Sequence, residues 1–245
     1  MTGRNIGQSV QTVSALPARL TFSFPGYVTR ETWIDATPAT TDLIQEAGFD
    51  LAFYRQFARN AYDAPGHLQP LWVLPIAPSF YMEVEGRQGL STQVGRQLEA
   101  VARRLVPQLT GGRWHVTHWE TGPEPRPRQT GWIMIERRDD PEACGRAYVG
   151  APDGAITLSG DTQACDRIEA VFAHELGHAF GFFHVDRAGA MMDGRDDWWQ
   201  RSAADGPNEI ERHHARVAYH RPRGNTDIDG DPYRLSILRS FMITD

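Results

Sequence analysis

The sequence predicts an α+β domain, on three observations. Short runs rich in β-branched and aromatic residues group between about Phe80 and Leu158, helical spacing recurs on both sides of them, and the stretch from about Thr162 to Phe180 is apolar nearly all round. A helix of that last kind belongs inside a domain rather than on its surface. At 245 residues, 40% hydrophobic, with 11 Phe and 7 Trp, the chain can bury a full core.

In chain order, Leu20, Phe22 and Phe24 alternate with Thr21 and Ser23 as in a strand. Thr41 to Ala61 reads as helix, with Leu43, Ile44, Phe49, Leu51, Ala52, Phe57 and Ala58 apolar, an interruption at Gly48 and a close at Pro65-Gly66. Phe80, Met82 and Val84 alternate with Tyr81, Glu83 and Glu85, which predicts a half-buried strand. Val94, Leu98, Val101 and Leu105 recur at helical spacing after Ser91-Thr92, and Gly111-Gly112 ends that helix. Trp114 to Thr117, Gly131 to Ile135, Ala147 to Val149 and Ile156 to Leu158 read as strands. In the apolar helix that follows, Ile168, Phe172, Leu176 and Ala179 share one face, and Val171, His174, Glu175 and His178 the other. A last helix covers Asn208 to Tyr219, and the tail after Pro222 is polar and turn-rich.

A formal charge of -6 and a pI near 5.8 exclude the clustered positive charge that nucleic acid or an anionic membrane requires. All 25 basic residues are arginine, which reflects codon usage rather than chemistry. No apolar run approaches the roughly 20 residues needed to span a bilayer. The N-terminus lacks the apolar core of a signal peptide, so the protein is cytoplasmic or a leader has been removed. Cys144 and Cys165 are close enough in sequence for a disulfide, and two free thiols are equally permitted.

The chemistry concentrates in His174-Glu175-Leu176-Gly177-His178-Ala179-Phe180-Gly181-Phe182-Phe183-His184. Histidines four apart lie about 40° apart on a helix, so His174 and His178 can reach one ion. In an unbroken helix His184 would point about 240° away from His178, so the helix must stop first. Gly181 stands where the stop is needed, because glycine adopts the left-handed conformation that turns the chain back. Three imidazoles without a fourth protein ligand describe a catalytic zinc with one open position. Glu175, beside the first ligand, is the candidate general base for a zinc-activated water.

This run resembles the metzincin clan of zinc peptidases, whose signature is HExxHxxGxxH followed by a methionine turn. Gly189-Ala190-Met191-Met192 is similar to the Gly-Ala-Leu-Met turn of matrixins, and the resemblance implies that Met192 forms an apolar floor under the zinc; an ordinary core methionine is the plainer reading. The likeness runs from about Pro78 to Tyr219. It implies a twisted mixed sheet above the cleft whose edge pairs with extended polypeptide substrate, with Ala147-Tyr148-Val149 as candidate edge or as a plain sheet strand. It divides the chain into an N-terminal extension of unknown role (1–66), a metzincin-like catalytic domain (67–224) and a C-terminal tail (225–245). No cysteine precedes Cys144, so the thiol switch of matrixin propeptides is absent, and Gly194 stands where astacins and serralysins carry a zinc-binding tyrosine. The nearer likeness is to bacterial matrixin-like proteins, in which segments resembling His214 to Tyr219 and Arg221 to Asn225 occur. Those are usually exported, which implies a secreted or cell-envelope protein with its leader removed and favours the disulfide. A monomer is expected.

Asn225 to Asp231 has the oxygen spacing of a Ca2+ loop, but Ser236 stands at the twelfth place instead of a bidentate Glu, so a solvated acidic turn is the stronger reading. His115 and His118 fall on opposite faces of a strand and do not share a metal. His213 and His214 are expected to flank a helix surface. Trp198 and Trp199 either shape a substrate pocket or pack the lower part of the domain. The leading expectation is a zinc-dependent endopeptidase. The alternatives are a zinc-binding module that does not cut, against which the intact Glu175 counts, and a zinc hydrolase of small amides or cell-wall peptides.

Overall fold

The computed structural model describes residues 16–34, 43–85, 89–138, 143–159, 165, 167–195, 206–226, 230 and 242–244. Within them the fold is α+β. Its elements are β1 (Ala18–Phe22), β2 (Arg30–Ile34), α1 (Leu51–Arg59), β3 (Ser79–Glu83), α2 (Thr92–Leu109), β4 (Trp119–Gly122), β5 (Trp132–Arg138), β6 (Gly145–Tyr148), β7 (Ala155–Ser159), α3 (Ile168–Ala179), α4 (Glu209–Tyr219) and β8 (Met242–Thr244).

β1 and β2 form an antiparallel hairpin, and the other six strands make one sheet in the order β4-β3-β5-β7-β6-β8. β4, β3, β5 and β7 run parallel, while β6 is antiparallel to both β7 and β8. Side-chain alternation sends Phe80, Met82, Ile133, Ile135, Ile156 and Leu158 to the main core, where they meet Leu98 and Leu105 of α2 and Phe172 and Leu176 of α3. α3 packs on β6, β7 and α2, and α4 packs on α2 and α1. Ten consecutive residues of α3, Ala170 to Ala179, are buried, as its all-round apolar pattern predicts.

β3 departs from the half-buried expectation, since Tyr81 is buried as fully as its neighbours. The far face of the sheet is itself covered. Tyr81, Met134 and Ala155 cluster there, Tyr81 donates its hydroxyl to Glu124 O, and Arg126 lies over the Tyr81 ring at 4.1 Å. The strand expected at Trp114 to Thr117 begins instead at Trp119. Trp114 is drawn out of a ladder by its indole N–H, which donates to Leu74 O, and by its backbone N–H, which donates to Thr110 Oγ1. The helix expected from Thr41 starts only at Leu51, because Gly48 has φ +82 and Asp50 caps the helix by accepting from Phe53 N–H. No helix of the described residues is long and apolar enough to cross a membrane.

Phe53, Phe57 and Ala58 of α1 belong to the same apolar cluster as α3. The core is therefore continuous across residue 66.

Candidate metal centre

α3 carries His174 and His178 one turn apart, both fully buried. His174 Nδ1–H donates to Met191 O at 2.7 Å, and His178 Nδ1–H donates to Phe182 O at 2.7 Å. A carbonyl only accepts, so each bond fixes the proton on Nδ1 and leaves Nε2 as a lone-pair donor. Both imidazoles are thus set in the tautomer a metal needs.

The helix ends where Gly181 requires it to. Gly181 N–H donates to His178 O at 2.8 Å and Phe182 N–H to Gly177 O at 3.0 Å, the paired bonds of a Schellman turn. Gly181 has φ +98, and a Cβ there would lie 2.6 Å from Trp72 O, so both conformation and space demand glycine. The same turn aims Phe182 O at His178 and brings His184 back. The three histidines each offer a ligand atom within 4.8 Å of the others, with ring centroids 4.8 to 5.3 Å apart. Imidazole ligands around zinc at about 2.0–2.1 Å fall inside that spacing, as do those around other divalent ions.

His184 is held differently. Its Nδ1–H donates to both carboxylate oxygens of Asp63 at 3.1 Å, across 121 residues of sequence. It keeps slight solvent exposure, 8%, where the other two have none.

The turn after His184 packs straight onto α3. Val185 N–H donates to Met192 O and Gly194 N–H to Val185 O, which pairs the third-ligand loop with the methionine turn. Met192 is fully buried with its sulfur against Gly177 of α3, where a Cβ would come within 2.2 Å of it. From the far side Glu211, at the third position of α4, accepts from Met191 N–H (3.1 Å) and Met192 N–H (2.9 Å) while completing a capping box with Asn208. Burial pushes the Glu211 carboxyl above its usual pKa, and its backbone donors pull it back. At the C-terminal end of α3 the Tyr219 hydroxyl donates to Phe180 O and accepts from Leu74 N–H.

Glu175 is fully buried against the start of β6. A Cβ at Gly145 would meet its carboxylate at 2.3 Å, so only glycine lets the strand pass. Cys144, next in the chain, forms a disulfide with Cys165 just ahead of α3. The bond ties the strand beside Glu175 to the entrance of the ligand helix. The outer edge of β6 pairs with β8, Tyr148 opposite Met242, Ala147 opposite Ile243 and Arg146 opposite Thr244. Among the described residues Ala147 and Tyr148 therefore sit in an interior strand rather than at a free edge.

Of the remaining sequence expectations, His118 stacks on Trp132 and, like His115, stands apart from the histidine cluster. His214 corrects the surface expectation: it is fully buried, its Nδ1–H donates to Ile210 O, and its Nε2 accepts from Asp50 N–H. Rings of Phe49 and Phe53 lie 5.4 and 5.0 Å from it, so the imidazole serves as a polar pin between α4 and α1. Trp198, Trp199, Ser236 and the acidic positions Asp227, Asp229 and Asp231 lie outside the described residues. Asp63, Gly177, Gly145, Glu211 and Tyr219 were missed from sequence, since each acts through a partner distant along the chain. Only the Asn208 to Glu211 spacing carried a local signal, the capping box.

No model of a known protein family matches the chain, and no curated protein matches it.

Proposed function

We propose that the protein is a zinc-dependent endopeptidase of metzincin type, exported and acting on extended polypeptide. The observation that carries the reading is the convergence of three buried imidazoles, each with its Nδ1–H already committed to an acceptor, on a helix that also bears a buried glutamate. His174, His178 and His184 would hold the ion. When bound, zinc supplies a Lewis acid that polarises a carbonyl and lowers the pKa of a water to about 7. Glu175, adjacent to His174, takes the proton of the attacking water and passes it to the departing amine. Met192 and Gly177 keep the underside of the site dry and closely packed. The Cys144–Cys165 disulfide supports an oxidising compartment.

One observation favours a second reading. β8 already occupies the outer edge of β6, the strand beside Glu175, which fits a hydrolase of small amides or short cell-wall peptides better than one needing a long substrate strand there.

The deciding experiment is digestion of a mixed peptide library by zinc-loaded protein, beside Glu175→Ala at equal zinc occupancy. Cuts at consistent positions that vanish in the variant are expected. Intact peptides alongside hydrolysis of small acyl-amides would establish the second reading, and inertness toward both with zinc bound would leave a binding module.

A further inference from the structure

The α1 segment grips the third-ligand loop at four points. Phe57 O accepts from Phe183 N–H at 2.8 Å, Gln56 Oε1 accepts from Asp186 N–H at 3.0 Å, and Tyr62 donates its hydroxyl to Gly194 O at 3.3 Å. The fourth point is the Asp63 carboxylate on His184 Nδ1. Phe57 also stacks on Phe182 with ring centroids 4.2 Å apart and planes 12° from parallel. The chain reaches Asp63 by leaving α1 through Asn60, which adopts φ +60 and turns it toward the loop.

His184 needs such a grip more than its companions do. His174 and His178 are set by α3, and the carbonyls that orient them come from a turn packed on that helix and from the helix's own Schellman turn. His184 lies beyond Gly181, where no regular element holds the backbone. Gly194 lets the grip close: a Cβ there would lie 2.6 Å from both the Tyr62 ring and His184 Cβ.

We infer that Asp63 is the positioning residue of the third metal ligand, and that the segment from α1 to Asp63 is a constituent of the metal centre. This rests on the metal-binding part of the reading above and is independent of whether the protein cuts peptides. The carboxylate does two things: it fixes the His184 ring with Nε2 toward the site, and its negative charge raises the basicity of that imidazole. The two effects separate in variants. Asparagine keeps an oxygen that accepts from Nδ1–H but lacks the charge, and alanine loses both.

The test is zinc affinity of the full chain, measured by competition with a chromogenic chelator, for wild type, Asp63→Asn, Asp63→Ala and His184→Ala. Outer partners of this kind change metal affinity by about 10- to 100-fold. The expected order of weakening is His184→Ala most, then Asp63→Ala, then Asp63→Asn. The visible spectrum of the cobalt-loaded protein should be altered in Asp63→Ala, and the thermal midpoint of the metal-free protein should be nearly unchanged in Asp63→Asn. Wild-type zinc affinity and an unaltered cobalt spectrum in both Asp63 variants, with His184→Ala impaired, would overturn the role of Asp63 and leave the metal centre standing. Failure of the wild type to bind zinc or cobalt would overturn both. A lowered metal-free midpoint with unchanged affinity would reduce Asp63 to a packing role.

Discussion

Gly177 and Met192 meet with no room for a side chain between them: a Cβ on the helix would lie 2.2 Å from the methionine sulfur. Gly177 is on the helix that carries His174 and His178, so the methionine packs directly on that helix. Gly177→Ala gains about 1 kcal/mol of helix propensity but forces the methionine turn outward, at about 1–3 kcal/mol. The overpacking wins. Net loss of stability in urea titration, with weaker zinc binding because Met191 O also orients His174, is the expected result.

Glu211 joins α4 to the methionine turn through two backbone N–H groups while capping its own helix. Glu211→Ala leaves those donors buried without an acceptor and should cost about 2–5 kcal/mol. Glu211→Gln keeps an accepting oxygen and should cost clearly less. A denaturant midpoint of the alanine variant equal to wild type would show that the turn stands without this support.

Burial lowers the pKa of the His214 imidazole below its usual value, and its Nε2 is already used as an acceptor from Asp50 N–H. The unfolded chain therefore binds the proton more readily. The stability this neutral ring contributes is present above the unfolded value near 6.5 and is lost as pH falls from there toward the folded value. Urea titrations of the metal-free protein between pH 7 and pH 5 should show stability falling. Set beside His214→Phe, the wild type should be steeper by up to about 1.4 kcal/mol per pH unit.

The Cys144–Cys165 bond closes a loop with a sequence separation of 21 and should contribute about 3 kcal/mol by restricting the unfolded chain. Replacing both cysteines by serine should lower the thermal midpoint. A midpoint that also becomes insensitive to reductant assigns the loss to this bond.

Met242 to Thr244 line the outer edge of β6. Ile243→Pro puts a residue without a backbone N–H in the middle of that three-residue strand and should release the segment. Faster amide exchange in β6 is expected, together with higher turnover of extended peptides if that edge is where substrate pairs. Unchanged exchange in β6 would mean the edge does not depend on β8.

The histidine cluster was legible because it is local: helical period, a glycine stop and three histidines lie within eleven residues. The buried helix and the α2 start after Ser91 were legible for the same reason. The β1–β2 hairpin was half visible, since β1 alternates and β2, with Arg30, Thr32 and Ile34 all buried, does not read as a half-apolar strand. Asp63, Glu211 and His214 could not be read. Each is a polar residue whose burial or role depends on a partner 19 to 164 residues away, and period carries no such information.

The carbonyl of Trp72 is a meeting point. Gly181 and Gly150 both pass so close to it that neither tolerates a Cβ, and the Arg223 guanidinium donates to it at 3.1 Å. Those three partners come from the ligand turn, the end of β6 and the chain beyond α4, all far from residue 72 in sequence. None of these contacts is local, so closing the Gly181 turn onto Trp72 depends on segments that reach as far along the chain as Arg223. The juxtaposition of His174, His178 and His184 is therefore a product of the assembled fold rather than a local nucleus around which the chain collects.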